Sequence, residues 1–258
     1  MNLAYSETGR QDAPVLLWIH AFPVNRHMWK HQLEAFADSW RSIAIDLPGF
    51  GESKEIVIEP TIGAFADSVL GFLDQKGIDK AVMAGCSFGG YILFELWRKA
   101  PERIDRMILC NTRAEADSDE ATANRKAMIE DIKSNGTGPL SENMTEKLLT
   151  EMTIENQPNT TKLVEKAIRE ANPEGVVNAV RAIMSRPDSQ QTLAGINVPA
   201  LILVGDEDSI TPTPIAQAMH DRLAKSTLHI IPYAGHLSAL ENPNAANQEI
   251  RHFLEGHS

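Results

Sequence analysis

Cysteine is scarce in this chain of 258 residues: only Cys86 and Cys110 occur, and each ends an apolar run. A secreted fold of this size that relied on cross-links would carry more. Two buried free thiols are expected, the alternative being a disulfide between neighbouring strand ends. Basic charge is also short, with 24 Lys and Arg against 35 Asp and Glu, a formal net charge of −11, and the acids are spread rather than blocked. Nucleic acid and anionic membrane surfaces both demand a basic footprint, so neither is an expected partner. No apolar run approaches the roughly 20 residues of a membrane span. Met1 to Gly9 contain Glu7 and no basic cluster before an apolar stretch, so no secretory signal is read there and the expected location is cytoplasmic. The glycines after the first strand-like run do not form Gly-x-Gly-x-x-Gly, which removes the argument for dinucleotide binding. No clustered set of His, Cys and acidic ligands accompanies His20, so neither metal nor cofactor is expected. The absence of internal repeats and low-complexity tracts leaves no support for a solenoid.

What is present is the composition of a soluble globular protein, 43% hydrophobic and 23% charged, long enough to bury a core without staples. Short aliphatic runs recur at Val15 to Ile19, Trp40 to Ile45, Lys80 to Ala84, Arg106 to Cys110, Ala200 to Val204 and Ser226 to Ile231. Such runs suit strands buried on both faces, with helices as covers. Ile62, Phe65, Ala66, Val69, Leu70 and Leu73 follow a helical period that ends at Gly77. Thr213 to Leu223 and Asn244 to Leu254 follow prolines, which suit a helix start. Strand and helix in alternation predict an α/β fold with a mostly parallel central sheet flanked by helices.

The rhythm stops between Ala114 and about Leu193. Amphipathic or alanine-rich segments replace it, at Ser118 to Lys133, Thr145 to Met152, Thr160 to Ala171 and Glu174 to Met184, separated by glycine and proline. Since both ends run into strand-like segments, the stretch reads as a helical insertion above the sheet.

Chemistry concentrates at the ends of the runs. Gly85-Cys86-Ser87-Phe88-Gly89-Gly90 lies between a strand-like run and the apolar stretch Tyr91 to Trp97. In that setting Gly-x-Ser-x-Gly makes a sharp strand-to-helix turn that exposes the serine, with small flanking residues letting the backbone pass. A serine hydroxyl needs an imidazole to take its proton and a carboxylate to hold the imidazole. Of eight histidines, His236 is favoured, because Gly235-His236-Leu237 follows the last strand-like run. His220 sits in a predicted helix and His252 and His257 in the terminal helix or tail, while His27, His31 and His229 have ordinary surface or packing explanations. Three acids, Asp206, Glu207 and Asp208, follow Gly205. Asp208 is best placed to turn back over the sheet, and Asp206 more naturally organises the turn. The oxyanion donors are expected to be the N–H groups of Phe22, in the loop His20 to Pro23, and of Phe88. His20 is expected to brace that loop, and Asp46 to tie down its own.

Together, His20 to Pro23, Asp46 to Ser53, Gly85 to Gly90, Gly205 to Asp208 and Gly235-His236 resemble the α/β-hydrolase superfamily along essentially the whole chain. Asn111 to Asp117, Ala123 to Lys126 and Arg186-Pro187-Asp188 are similar to the 3-oxoadipate enol-lactonase-like and carboxylesterase branch. The resemblance implies residues 1–113 and 193–258 as the core, residues 114–192 as a helical lid inserted after the sixth strand, and a triad of Ser87, Asp208 and His236. It implies hydrolysis of a small-molecule carboxylic ester or lactone, with enol-lactonase, cofactor-free perhydrolase or haloperoxidase, and carbon–carbon bond hydrolase as alternatives. A serine at 87 argues against haloalkane dehalogenases and epoxide hydrolases, which carry aspartate there. A binding-only relative would have lost the serine, base or acid, and all three are here. Candidate substrate contacts are Arg113, Met128, Arg181, Met184 and Arg186. The three arginines would either meet a substrate carboxylate or pair with hinge acids such as Glu115, Asp117 and Asp188.

Overall fold

The computed structural model describes residues 2–57 and 59–256; His257 lies outside them. Among the described residues seven strands form one sheet: β1 (Tyr5–Thr8), β2 (Val15–Ile19), β3 (Arg41–Ile45), β4 (Ala81–Cys86), β5 (Ile104–Cys110), β6 (Ala200–Gly205) and β7 (Ser226–Ile231). Their order is β1-β3-β2-β4-β5-β6-β7, with β1 antiparallel to β3 and every other neighbour parallel. The six aliphatic runs are the six parallel strands. Every residue of β4 and β6 is buried, as helix-covered central strands require. Strand β1 escapes the sequence reading because its four residues, partly exposed on the sheet edge, include no aliphatic side chain; β7, on the opposite edge and also only partly buried, keeps Leu228, Ile230 and Ile231.

In the first half, α1 (Lys30–Ala35), α2 (Ile62–Gln75) and α3 (Phe88–Lys99) link and cover the strands. Helix α2 buries Ile62, Phe65, Ala66, Val69, Phe72 and Leu73 on one face. The Thr61 hydroxyl caps its start by accepting the Ala64 N–H at 3.2 Å, and Gly77 follows its end at φ 63°, where a left-handed residue closes a helix without steric cost.

Between β5 and β6 the described residues are helices and loops only: α4 (Asp119–Asn135), α5 (Gly138–Leu148), α6 (Glu151–Asn156), α7 (Pro158–Arg169), α8 (Pro173–Met184) and α9 (Gln190–Leu193). The insertion follows the fifth strand of this sheet; the count of six carried by the resemblance is one higher, because the short segment before Val15 supplies a single strand. The expected continuous segment Thr145 to Met152 is interrupted. Leu149 is extended, and Thr150 caps α6 by accepting the Thr153 N–H at 3.1 Å. The two ends of the insertion are tied, Ser189 N–H donating to Ala114 O at 2.7 Å. Its helix α8 rests on the loop after β3, where a Cβ at Gly49 would come within 2.6 Å of Gly175 Cα. The chain ends with α10 (Thr213–His220), α11 (Ser238–Glu241) and α12 (Pro243–Glu255). Among the described residues no helix is long and apolar enough to cross a membrane.

From β2 the chain turns to one side to form β3, then crosses to the other side of β2 to form β4. That reversal opens a crevice at the carboxyl ends of β2 and β4, the usual place for a site in an open parallel sheet. The loops carrying Phe22 and Ser87 leave from those two ends.

Candidate active site

Ser87 sits between β4 and α3 with φ 49° and ψ −106°, a conformation that costs on the order of 1–3 kcal/mol and persists only where the surroundings impose it. Those surroundings explain the glycines. A Cβ at Gly85 would lie 2.5 Å from the Gly89 carbonyl carbon, and one at Gly89 would lie 3.0 Å from the carbonyl carbon of Ile19, at the end of β2. The turn is pinned by Ser87 N–H donating to Cys110 O at 3.0 Å and by Thr112 Oγ1 donating to Ser87 O at 2.9 Å. Phe88 opens α3, and its N–H has no acceptor among the described residues, as expected of the first turn of a helix. The Phe22 N–H is likewise unpaired among them.

His20 holds the Phe22 loop. Its Nε2 accepts the Leu47 N–H at 3.0 Å, which leaves the proton on Nδ1 to donate to Ala21 O at 2.9 Å. Burial lowers its pKa, against an opposing pull from Asp46, so the ring stays neutral. Asp46 ties its own loop down as expected, accepting the N–H groups of Arg26 and Glu52 at 2.8 Å and pairing with the Arg26 guanidinium.

Asp208 leaves β6 and is almost wholly enclosed. Its Oδ1 accepts the N–H groups of Ile210 and Thr211 at 2.9 and 3.0 Å. Its Oδ2 accepts Thr211 Oγ1 at 2.5 Å and Asn111 Nδ2 at 2.9 Å. His236 Nδ1 stands 3.0 Å from both oxygens. Burial pushes this carboxyl's pKa up, but the hydrogen bond and charge of His236, with Thr211 and Asn111, hold it well below the usual carboxylate range. An Asp208 that stays ionised at neutral pH fixes His236 with its proton on Nδ1 and Nε2 free to accept. Ser87 Oγ itself makes no hydrogen bond among the described residues. Such bonds are often long or misaligned before substrate enters and tighten only in the complex. Asp206 organises the turn, accepting the Ala234 N–H at 3.1 Å, while Glu207 is exposed.

Asn111 and Thr211 are site residues that the sequence reading missed. Asn111, just past β5, adopts φ 44°. Besides holding Asp208, its Nδ2 donates to Gly235 O at 3.0 Å and its Oδ1 accepts Ser238 Oγ at 2.5 Å. The one local signal was an asparagine directly after an apolar run, a residue type that tolerates left-handed backbone.

Of the three candidate arginines, Arg186 takes the hinge-pairing form. It is buried, stacked 4.3 Å above the Tyr91 ring, paired with Asp117 at 2.6 Å, and donates to Glu115 O at 2.8 Å. Arg113 donates to the carbonyl of Ile210, two residues past Asp208. Arg181 is exposed and lines a surface cavity of about 430 Å³ between α4 and α8 with Lys133, Glu174 and Asn178. Met128 and Met184 pack, partly buried, against the hydrophobic core.

Cys86 and Cys110 are both free and buried, and face each other in register on β4 and β5. Burial pushes the Cys110 thiol up to about 12. Burial, then the neighbouring Cys110, Asp208 and Glu241, push the Cys86 thiol well above its ordinary value. Neither thiol is a nucleophile under ordinary conditions. No group of three or more His, Cys, Asp or Glu among the described residues is arranged to hold a metal ion.

Comparison with known proteins bears on the family and the fold. A family model described as alpha/beta hydrolase fold matches residues 14–243. The structure of a thermophilic esterase from Thermogutta terrifontis superposes with a TM-score of 0.94 at 40% identity, over 98% of this chain and 93% of that one. An enol-lactonase from Burkholderia xenovorans superposes with a TM-score of 0.91 at 26% identity, over 98% and 96% of the two chains. In sequence, the chain is 27% identical over 248 residues to 3-oxoadipate enol-lactonase 2 of Acinetobacter baylyi, covering 96% of this chain and 91% of that protein.

Proposed function

Because the chain belongs to the α/β-hydrolase family, we propose that it is a serine hydrolase that cleaves small to medium carboxylic esters or lactones through an acyl-enzyme on Ser87. The observation that carries this reading is the Asp208–His236 couple, buried at the same sheet edge as a strained serine elbow and two unpaired N–H groups.

In the proposed cycle, His236 Nε2 removes the Ser87 proton as Oγ attacks the substrate carbonyl. Asp208 stabilises the imidazolium that forms. The carbonyl oxygen, now negative, takes the N–H groups of Phe22 and Phe88, which had no partner to give up; this lowers the barrier rather than merely tightening binding. His236 returns the proton to the departing alcohol or enol oxygen, and a water molecule repeats the sequence on the acyl-enzyme.

The arginines bear on substrate charge. An unpaired carboxylate in a closed site carries a large desolvation cost. Arg186 is already neutralised by Asp117 and Arg181 faces solvent, so a neutral ester is the favoured substrate. A second reading, a lactone that bears a carboxylate, is favoured by Arg113, which is half-buried with a carbonyl rather than an acid as its partner.

A single panel tests both readings, comparing short and medium p-nitrophenyl esters, simple lactones and 3-oxoadipate enol-lactone. Neutral esters are expected to show the higher kcat/KM, and Ser87→Ala to lose both hydrolysis and labelling by an organophosphonate. Labelling retained at the same site in Ser87→Ala removes Ser87 as nucleophile. A clear preference for the enol-lactone, abolished selectively by Arg113→Met, establishes the second reading instead.

A further inference from the structure

The segment that carries His236 is bound to the lid, and one buried acid joins them. Leu148 O, at the last residue of α5, accepts the N–H groups of both His236 and Leu237, at 3.1 and 3.2 Å. Two residues on, Thr150 N–H donates to Glu241 Oε2 at 2.8 Å, while Gly235 N–H donates to Oε1 of the same carboxylate at 2.9 Å. The backbone carbonyl of Glu241 accepts Gln157 Nε2 at 3.0 Å, from the junction of α6 and α7. The fit is close. A Cβ at Gly235 would lie 3.2 Å from Glu241 Oε1, 3.3 Å from Thr150 N and 3.4 Å from Leu148 O.

Glu241 is 3% exposed and pairs with no cation among the described residues. A buried carboxylate without a counter-charge is expensive, and burial raises its pKa against the opposing N–H groups of Thr150 and Gly235. A residue kept there at such a cost, with one oxygen on each of two separate segments, has a coupling geometry. On the far side, the His236 carbonyl accepts the Cys86 thiol at 3.7 Å, so the backbone around His236 is gripped between the lid and the elbow strand.

We propose that Glu241 is a positioning residue that locks the α5–α6 junction of the lid to the His236 segment, so that the base is held in place only while the lid is seated. The proposal rests on His236 being the base of the reaction. The lid then contributes to proton transfer as well as covering the site, and a lid that lifts at Thr150 loosens the base together with the cover.

The test uses the full chain with p-nitrophenyl acetate and amide hydrogen exchange. Glu241→Gln keeps the size of the side chain but can accept only one of the two N–H groups through oxygen. Thr150→Pro deletes the other end of the lock. Thr150 has φ −71° and ψ 155° and follows an extended Leu149, a backbone that proline adopts without distortion. Thr150→Ala, which keeps the N–H but loses the helix cap, is the reference for Thr150→Pro.

Glu241→Gln is expected to lower kcat roughly 10–100-fold, the scale of a misplaced catalytic group, with a smaller change in KM. Thr150→Pro is expected to fall at least about five-fold below Thr150→Ala on the same scale. Exchange at Leu237, His236 and Gly235 should rise together in both, leaving β4 protected. Activity of both within two-fold of their references overturns the proposal, as does a loss in Glu241→Gln that Thr150→Pro does not share, or exchange rising throughout the chain. If Glu241→Gln fails to fold, the Thr150 pair alone decides. His236→Ala separates the two layers: full hydrolysis in that variant refutes the base assignment, whereas its loss beside an unaffected Thr150→Pro refutes only the lock.

Discussion

Replacing Asn111 isolates how much of the site is held together from β5. Asn111→Gly removes the donor to Asp208 Oδ2, the donor to Gly235 O and the acceptor of Ser238 Oγ, while glycine adopts the left-handed φ of 44° freely. A hydrogen bond to a buried charge contributes about 1.5–3 kcal/mol and each neutral one about 1 kcal/mol, so the loss should be about 4 kcal/mol. At roughly 2–4 °C per kcal/mol for a chain of this size, Tm should fall by about 8–16 °C. Asn111→Ala loses the same bonds and adds left-handed strain of about 1–2 kcal/mol, so it should be the less stable of the two.

The pH dependence carries its own sign. Asp208 is held below its unfolded value of about 3.9. Its stabilising contribution is therefore complete above that pH and is lost as pH falls toward the native value. Without Asn111 the native pKa rises, the contribution shrinks, and acid unfolding should begin at higher pH. A further ~1.4 kcal/mol of lost orientation at His236 corresponds to a ten-fold fall in kcat/KM. Thermal and acid unfolding of the two variants, with kinetics at neutral pH, check all three. A glycine variant within about 1 kcal/mol of the parent and with an unshifted acid limb, or an alanine variant more stable than the glycine one, would refute the reasoning.

Other perturbations test separate parts of the frame. Gly89→Ala drives a methyl into the Ile19 carbonyl; overpacking of this kind costs about 1–3 kcal/mol, and because α3 and the Phe22 loop move apart, kcat should fall about 100-fold, whereas unchanged kcat places the oxyanion site elsewhere. Asp117→Ala leaves the buried Arg186 without its counter-ion, a change worth about 3–5 kcal/mol; urea unfolding showing less than 1 kcal/mol would mean that the hinge pair does not hold the lid.

Much of the fold was legible because its signals are local. A strand covered on both faces must be apolar along its length, as β4 and β6 are; β7, on the edge and only partly buried, was still visible through Leu228, Ile230 and Ile231, while the four-residue β1 on the other edge has no aliphatic side chain and was not. The elbow was legible in part for the same reason: Gly85 is dictated by a turn that lies within six residues, its Cβ position meeting Gly89, whereas the need for glycine at 89 comes from Ile19 at the end of β2. Asp208 and His236 could be chosen from several candidates because a parallel sheet sends every strand end to one edge, and the last two ends follow β6 and β7.

What the chain could not disclose are partners supplied by distant segments. Whether Arg186 meets a substrate or Asp117, 69 residues away, turns on where the hinge brings Glu115 to Asp117. The break at Leu149 is set by the His236 loop claiming the Leu148 carbonyl and by Glu241 claiming the Thr150 N–H. Local sequence fixes which backbone and side-chain groups are available, since propensity, turn chemistry and hydrophobic period act within a few residues. Which of those groups meet is decided by packing, because a hydrogen bond forms only within about 3 Å, and that closeness between Asn111 and Asp208, or between Glu241 and Thr150, exists only after the sheet and its lid have closed.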